Sequence, residues 1–147
     1  MLTYQSSAPI STSAEKAWLV LSNVVNWPNW TPTVTSVEPL EGPVLAVGAR
    51  YRVSQPKLRP TVWTVTEVHP GSNFTWESKA PGMLMRAEHA LQQRLPNQVE
   101  VVLRFHFRGP LGAVVGRLYA SLVRSYLATE AAALSARVRD GGEPSVT

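Results

Sequence analysis

Alternating apolar and polar positions between residues 33 and 108 predict a β-sheet built from short consecutive strands. β-Branched and aromatic residues occur there in short runs, separated by turns that contain Pro or Gly. Residues 2–10 predict a further strand. Short connections favour antiparallel pairing, because parallel neighbours need long crossovers. The six predicted strands of this meander lie near 33–40, 48–55, 60–68, 73–79, 83–94 and 98–108.

Helical spacing of apolar residues predicts helices on both sides of this region. Thr12–Glu15 follows the pattern of a capping box, in which a hydroxyl and a Glu satisfy the first free backbone N–H groups of a helix. Pro28 should then interrupt the helix and leave two short pieces with a kink. A long amphipathic helix should begin near Pro110 and end near Arg139, before a flexible tail at 140–147.

The long helix is expected to pack on the sheet through one apolar stripe. Gly112 and Gly116 have the spacing that lets a helix approach its neighbour closely. The residues of the predicted stripe are Leu111, Val115, Leu118, Leu122 and Tyr126.

The order of these elements predicts an α+β fold in a single domain, residues 1–139. One strand is followed by two short helices, six strands and the long helix. We expect a seven-stranded, curved antiparallel sheet wrapped around the C-terminal helix, because such a sheet can bury its apolar face only against another element. A gap between the concave sheet and the helix would form an internal pocket.

Strand alternation indicates which side chains face that pocket, because residues two apart share a face. Phe105 and His89 fall on the inner face of their strands. The strand at 60–68 is ambiguous, since Trp63 shares its face with Glu67. The predicted pocket residues are mostly apolar or aromatic, as in many small-molecule sites, and are Trp27, Trp30, Tyr51, Val53, Gln55, Trp63, Trp76, Met83, Met85, His89, Leu103, Phe105, Leu118, Leu122 and Tyr126.

Two of these residues are candidates for chemistry. An inward imidazole at His89 could act as a general acid or base, and the phenol of Tyr51 could donate to a carbonyl oxygen. The same side chains could equally fill an ordinary core, since position and composition do not separate a lined cavity from a filled one.

Composition excludes several classes of site. The net charge of +4 comes from 14 Lys and Arg against 10 Asp and Glu, and the basic residues are scattered, so we expect no nucleic-acid binding. The absence of Cys excludes disulfides and thiolate metal sites. His69, His89 and His106 fall in a turn, on the inner face and on the outer face, so we expect no metal site and no cofactor.

The sequence also bears on location. The N-terminal segment has neither a basic start nor a sustained apolar stretch, which predicts a cytoplasmic protein. The most apolar stretch, residues 111–134, is interrupted by Arg117, Arg124 and Glu130, so we expect no transmembrane segment.

Four sequence segments, together with the closing helix and the order of elements, carry a family resemblance. They are WPNW at 27–30, GARYRVSQP at 48–56, PTVWTVTEVHPGSNFTWES at 60–78 and PGMLMRAEHAL at 81–91. The chain resembles the SRPBCC superfamily of START-like, helix-grip proteins over about residues 3–138, and its polyketide cyclase/dehydrase branch in particular. The resemblance implies a hydrophobic cavity between the sheet and the C-terminal helix, open near the short helices and the strand-connecting loops.

These observations leave three hypotheses open. The first is a binding protein for a small hydrophobic or aromatic molecule, lipid or polyketide-like, that works as a monomer or homodimer. The second is a polyketide aromatase/cyclase or dehydratase that uses His89 and Tyr51 for proton transfer, as the resemblance implies for polar pocket residues. The third is a membrane-surface or partner-binding protein that exposes the apolar stripe of its basic last helix.

Overall fold

The computed structural model describes residues 2–141. The strands are β1 (Leu2–Ile10), β2 (Ser36–Pro39), β3 (Arg50–Ser54), β4 (Thr61–His69), β5 (Asn73–Ala80), β6 (Met83–Leu95) and β7 (Gln98–Arg108). The helices are α1 (Ala14–Leu21), a 3₁₀ helix (Val24–Asn29), α2 (Pro110–Leu118) and α3 (Ala120–Gly141). Most of the predicted flexible tail, residues 142–147, lies outside the described residues.

The predicted fold class is confirmed. One seven-stranded antiparallel sheet has the strand order β1-β7-β6-β5-β4-β3-β2, and short helices follow its first strand. Because β1 pairs with the last strand, the N-terminus returns to the side of the sheet where α3 packs. This arrangement is the predicted helix-grip fold, in which the sheet holds the C-terminal helical region.

A bulge in β4 resolves the ambiguous alternation of that strand. Val65 lies opposite Trp76, but Glu67 lies opposite the next residue of β5, Thr75, so Thr66 is an extra residue in the ladder. An extra residue shifts the following side chains by one position. Trp63 and Val65 are therefore buried on the inner face, whereas Glu67 belongs to the other face.

The first helix begins one residue later than the capping-box pattern predicts. Ser13 is the N-cap, and its hydroxyl accepts a hydrogen bond from the backbone N–H of Lys16 at 3.3 Å. Thr12 instead directs its backbone N–H to the carbonyl of Ile10 at the end of β1. The two predicted helical pieces are found, but the predicted break at Pro28 is wrong. The chain breaks at Ser22 and Asn23, and Pro28 lies inside the second piece, where a 3₁₀ helix accommodates it.

The long C-terminal helix is divided at Tyr119, where the backbone turns to φ −102° and ψ 14°. The predicted stripe assumed one continuous helix and is wrong in part, since Leu118 is 76% exposed and Leu111 46% exposed. After the break the buried face is rotated. The residues of α3 that pack on the core are Val123, Leu127, Ala131, Leu134 and Val138.

The close approach of α2 to the sheet depends on Gly116. A Cβ atom there would lie 2.9 Å from Leu2 Cδ1 and 2.9 Å from the Phe107 ring, both inside contact distance. The hydroxyl of Tyr4 donates to the Gly116 carbonyl at 2.9 Å and joins α2 to β1. The predicted role of Gly116 in close packing is confirmed, whereas a Cβ atom at Gly112 would lie at the longer distance of 3.3 Å from the Phe107 backbone.

Candidate functional site

A cluster of aromatic rings occupies the concave side of the sheet, under the 3₁₀ helix. The imidazole of His89 stacks on Phe74 with 4.2 Å between ring centroids and an interplanar angle of 11°. Trp27 and Trp76 approach the same imidazole at 5.4 Å and 5.5 Å. Trp63 stacks on Trp76 at 5.8 Å. The inward residues of β4, β5 and β6 therefore meet as one aromatic wall.

His89 is a buried, neutral member of this wall. Its Nδ1 lies 3.3 Å from the carbonyl oxygen of Phe74, which assigns the ring proton to Nδ1. Burial lowers the pKa of His89 to about 4, against a smaller opposing effect of the Phe74 carbonyl. At neutral pH the ring is therefore not an imidazolium that could act as a general acid, and it is a weak base.

An inner cavity of about 60 Å³ lies in front of the aromatic wall. Trp27 and Trp76 border it from one side, and Leu127 of α3 borders it from the other. Polar side chains also reach it: His89 from β6, Gln55 after β3, and Tyr126 and Glu130 from α3.

A larger cleft of about 600 Å³ opens between the β3–β4 connection and the junction of α2 with α3. Its floor is apolar, with Met83 and Met85 from β6 and Phe107 from β7. Its rim carries two basic side chains, Lys57 and Arg59.

The inner cavity and the cleft share a wall. Gln55, Trp63, Phe105 and Val123 border both spaces. The inner cavity therefore adjoins the cleft across these four residues. Its opening lies beside the β3–β4 connection, which matches the strand-connecting loops implied by the resemblance, but it does not lie beside α1.

Glu130 is the main feature of the site that sequence reasoning missed. Its Oε2 accepts a hydrogen bond from the Thr33 hydroxyl at 2.9 Å, and burial raises its pKa to about 7 despite that hydrogen bond. The signal was its spacing, since Glu130 follows Leu127 by three residues and precedes Leu134 by four on the buried face of α3. A charged residue on an apolar helical face often marks a functional position.

A polar chain connects Glu130 to the mouth of the cleft. Gln55 donates through Nε2 to the backbone carbonyl of Thr33 at 3.1 Å. The hydroxyl of Tyr126 donates to the Pro56 carbonyl, and burial and the nearby Glu130 raise the pKa of Tyr126. These contacts hold the β3–β4 connection against α3.

The structure brings most of the predicted pocket residues together and leaves three outside. Trp30 packs on Trp27 at 5.9 Å between ring centroids but borders neither space. Tyr51 is fully buried, and its hydroxyl donates to the Pro43 carbonyl at 3.3 Å. Leu118 is turned to solvent, and its prediction is wrong because the helix breaks at the following residue. The predicted residues that border the two spaces are Trp27, Val53, Gln55, Trp63, Trp76, Met83, Met85, His89, Leu103, Phe105, Leu122 and Tyr126.

Two kinds of feature are missing from the described residues. Within 2–141, no group of three or more His, Asp or Glu side chains is placed to hold a metal ion. Over the same range, no helix has both the length and the hydropathy needed to cross a bilayer.

The sequence family described as polyketide cyclase / dehydrase and lipid transport matches residues 1–139. The chain belongs to this family. No curated protein matches the chain. The family covers the sheet, the α2–α3 region and both spaces of the candidate site, so it covers all the residues discussed above.

Several solved structures have a similar fold. The Zhui aromatase/cyclase from Streptomyces sp. R1128 has 18% identity and a TM-score of 0.75, with 96% of this chain and 98% of that chain covered. A START superfamily protein from Mycobacterium smegmatis has 14% identity and a TM-score of 0.66, with coverage of 93% and 97%.

A third similar structure is the di-domain aromatase/cyclase BexL from the BE-7585A biosynthetic pathway. It has 21% identity and a TM-score of 0.70. The match covers 98% of this chain but only 48% of BexL, so this chain spans about half of that protein. At these identities the three likenesses show the fold.

Proposed function

We propose that this protein binds a small apolar or aromatic molecule in the cleft, with one end of the molecule in the inner cavity. The observation that carries the proposal is the apolar cleft of about 600 Å³ that adjoins the inner cavity at the aromatic wall. Ligand pockets typically have a few hundred Å³, mostly apolar walls and a small number of placed polar groups. The family description, which names lipid transport, supports the same ligand class.

The energetics favour such a ligand. Each Å² of apolar surface removed from water contributes roughly 25 cal/mol, which opposes the loss of freedom of the bound ligand. Met83 and Met85 suit this role, because flexible thioether side chains adapt to the shape of a ligand.

A matched pair of variants tests the proposal. Met85→Trp places a bulky ring in the floor of the cleft and should reduce the affinity for methylnaphthalene at least about tenfold. Leu118→Trp adds the same ring at an exposed position outside the cleft and should leave the affinity unchanged. Titration calorimetry on both folded variants measures the difference, and equal affinities would contradict binding in the cleft.

One observation favours a second candidate, a polyketide aromatase/cyclase or dehydratase. Glu130 borders the inner cavity with a pKa of about 7, which suits proton transfer near neutral pH. His89 and Tyr51 are poorly placed for the roles first considered, because His89 is a weak base and Tyr51 borders neither space. Loss of turnover of a poly-β-keto substrate in Glu130→Gln, with ligand affinity retained, would favour this candidate.

A further inference from the structure

The inner cavity contains an acid without a basic partner. Among the described residues, Glu130 makes its one hydrogen bond with Thr33, and no Lys or Arg forms an ion pair with it. Arg104 borders the same cavity from β7, but its guanidinium lies 3.7 Å from Glu88. Glu130 is half-buried, and a carboxylate that is partly removed from water without a cation is stabilised when one arrives.

The neutral polar groups around Glu130 already donate to protein acceptors. Nε1 of Trp27 donates to the Leu21 carbonyl at 3.0 Å. Gln55 and Tyr126 donate to backbone carbonyls of the loops that precede β2 and β4, and His89 Nδ1 lies against the Phe74 carbonyl. Glu130 Oε1 has no hydrogen-bond partner among the described residues. The ionised Glu130 can therefore accept a hydrogen bond from a donor group of a ligand.

The walls of the cavity also suit a cation. Trp27, Trp63, Trp76 and Phe105 all border it. The face of an aromatic ring attracts a cation by about 0.5–2 kcal/mol, and Trp attracts it most strongly. A hydrogen bond from a charged donor to a carboxylate is about twice as strong as one between neutral groups.

From this arrangement we propose that the bound molecule carries a protonated amine, which lies in the inner cavity against Glu130 while its apolar part occupies the cleft. This inference rests on the proposed function, since it names the class of ligand for the same site. The carboxylate and the aromatic walls hold the ammonium, and Met83, Met85 and Phe107 contact the apolar part.

The proposal predicts that ligand binding is coupled to the release of protons. A bound ammonium favours the ionised carboxylate, so binding near pH 7 should release a fraction of a proton from Glu130. The other titratable groups at the cavity are His89 from β6 and Tyr126 from α3, which stay neutral near pH 7. Glu88 and Arg104 belong to the outer face, where they pair.

Three aromatic probes of similar size test the inference. They are naphthylmethylamine, naphthylmethanol and methylnaphthalene. We expect the amine to bind at least about tenfold more tightly than the alcohol near pH 8, and its advantage to shrink as Glu130 is protonated below about pH 6. Titration calorimetry in two buffers of different ionisation enthalpy should show proton release with the amine alone.

Glu130→Gln is the matched variant, because it keeps the shape of the side chain and removes the charge. We expect it to abolish the proton release and the preference for the amine, so that the amine and the alcohol bind the variant with similar affinity. Equal affinity for the amine and the alcohol in the wild-type protein, or proton uptake on binding, would overturn the inference and leave the proposed function standing. Failure of all three probes to bind would overturn both.

Discussion

Two buried side chains in the site change their pKa in opposite senses for one reason. Burial disfavours the charged form, which raises the pKa of Glu130 to about 7 and lowers that of His89 to about 4. In the unfolded chain both groups return to ordinary values. Between about pH 4.5 and pH 7, Glu130 is therefore protonated in the folded protein and ionised in the unfolded chain. Between about pH 4 and pH 6.5, His89 is neutral in the folded protein and protonated in the unfolded chain.

Glu130→Gln should remove the contribution of Glu130 to the pH dependence of stability. A raised carboxyl pKa stabilises the fold at low pH, and this contribution is lost as the pH rises from about 4.5 through about 7. We expect the free energy of unfolding of Glu130→Gln, relative to wild type, to increase by roughly 2 kcal/mol between about pH 5 and pH 8. Urea denaturation at both pH values measures it, and a constant difference would show that Glu130 is not buried.

His89→Phe should show the reverse dependence. A lowered imidazole pKa stabilises the fold above about pH 6.5, and this contribution is lost as the pH falls toward about 4. Phe keeps the stacking on Phe74 and removes the titration. Relative to wild type, the variant should gain roughly 2 kcal/mol between about pH 8 and pH 5 in the same denaturation experiment. No gain would mean that folding does not lower the pKa of His89.

Single-residue patterns in the sequence predicted the inward strand positions well. Period-two alternation placed Trp76, His89 and Phe105 correctly, because a strand offers only two faces. Alternation could not place Glu67, since the bulge at Thr66 shifts the register in a way that depends on β5. Glu130 was missed because its burial depends on the rotation of α3.

At the scale of elements, a single glycine, Gly116, allows α2 to pack close to the sheet. Gly116→Ala would place a methyl group 2.9 Å from Leu2 and from the Phe107 ring, so the helix must move or repack. We expect a loss of about 1–3 kcal/mol of unfolding free energy, despite the better helix propensity of Ala.

Gly112→Ala is the matched control for this prediction. Its nearest contact would be 3.3 Å, with the Phe107 backbone, so its cost should be smaller than that of Gly116→Ala. Urea denaturation of the two variants measures both costs. Equal or inverted costs would mean that α2 is free to shift away from β7.

The outer side of α2 meets the requirement of the third hypothesis, an exposed apolar stripe. Leu111, Val114 and Leu118 are 46%, 53% and 76% exposed, and the chain contains no Asp or Glu between residues 101 and 129. Basic residues beside an apolar helical face favour an anionic lipid surface.

Vesicle co-sedimentation tests this surface. Wild-type protein should bind vesicles that contain phosphatidylserine, in a salt-sensitive manner, and Leu118→Ser should weaken the binding severalfold. Ligand affinity should not change in this variant, because Leu118 borders neither the cleft nor the inner cavity. Vesicle binding that changes neither with salt nor with Leu118→Ser would argue against membrane binding through the exposed residues of α2.

The break at Tyr119 was beyond sequence reasoning, because each half of the helix carries its own acceptable apolar pattern. The backbone N–H of Tyr119 still bonds to the Val115 carbonyl, and Val123 N–H bonds to the Tyr119 carbonyl, both at 2.9 Å. No proline marks the position. The helix turns there because α2 packs on β6 and β7, whereas α3 packs mainly on β1.

For the whole molecule, the order of strands and helices was predictable in detail and the pocket was not. Short turns between consecutive strands predict an antiparallel meander, because parallel neighbours need long connections. The first strand, β1, completes the sheet by pairing with β7. The size of the cleft depends on how far α2 and α3 stand from the sheet, which is set by many contacts at once. Alternation predicts which residues face inward, but it does not predict whether their side chains fill the core or line a cavity.

The shared wall between the inner cavity and the cleft has a consequence for the evolution of the protein. Trp63, Phe105 and Val123 pack in or against the hydrophobic core and also border both spaces, so a substitution that fills the space should raise the stability of the empty protein. Under the proposed function the same substitution would exclude the ligand, so selection for stability and selection for ligand binding would act in opposite directions on these positions. The protein would then reach its highest stability only with a ligand bound in its interior.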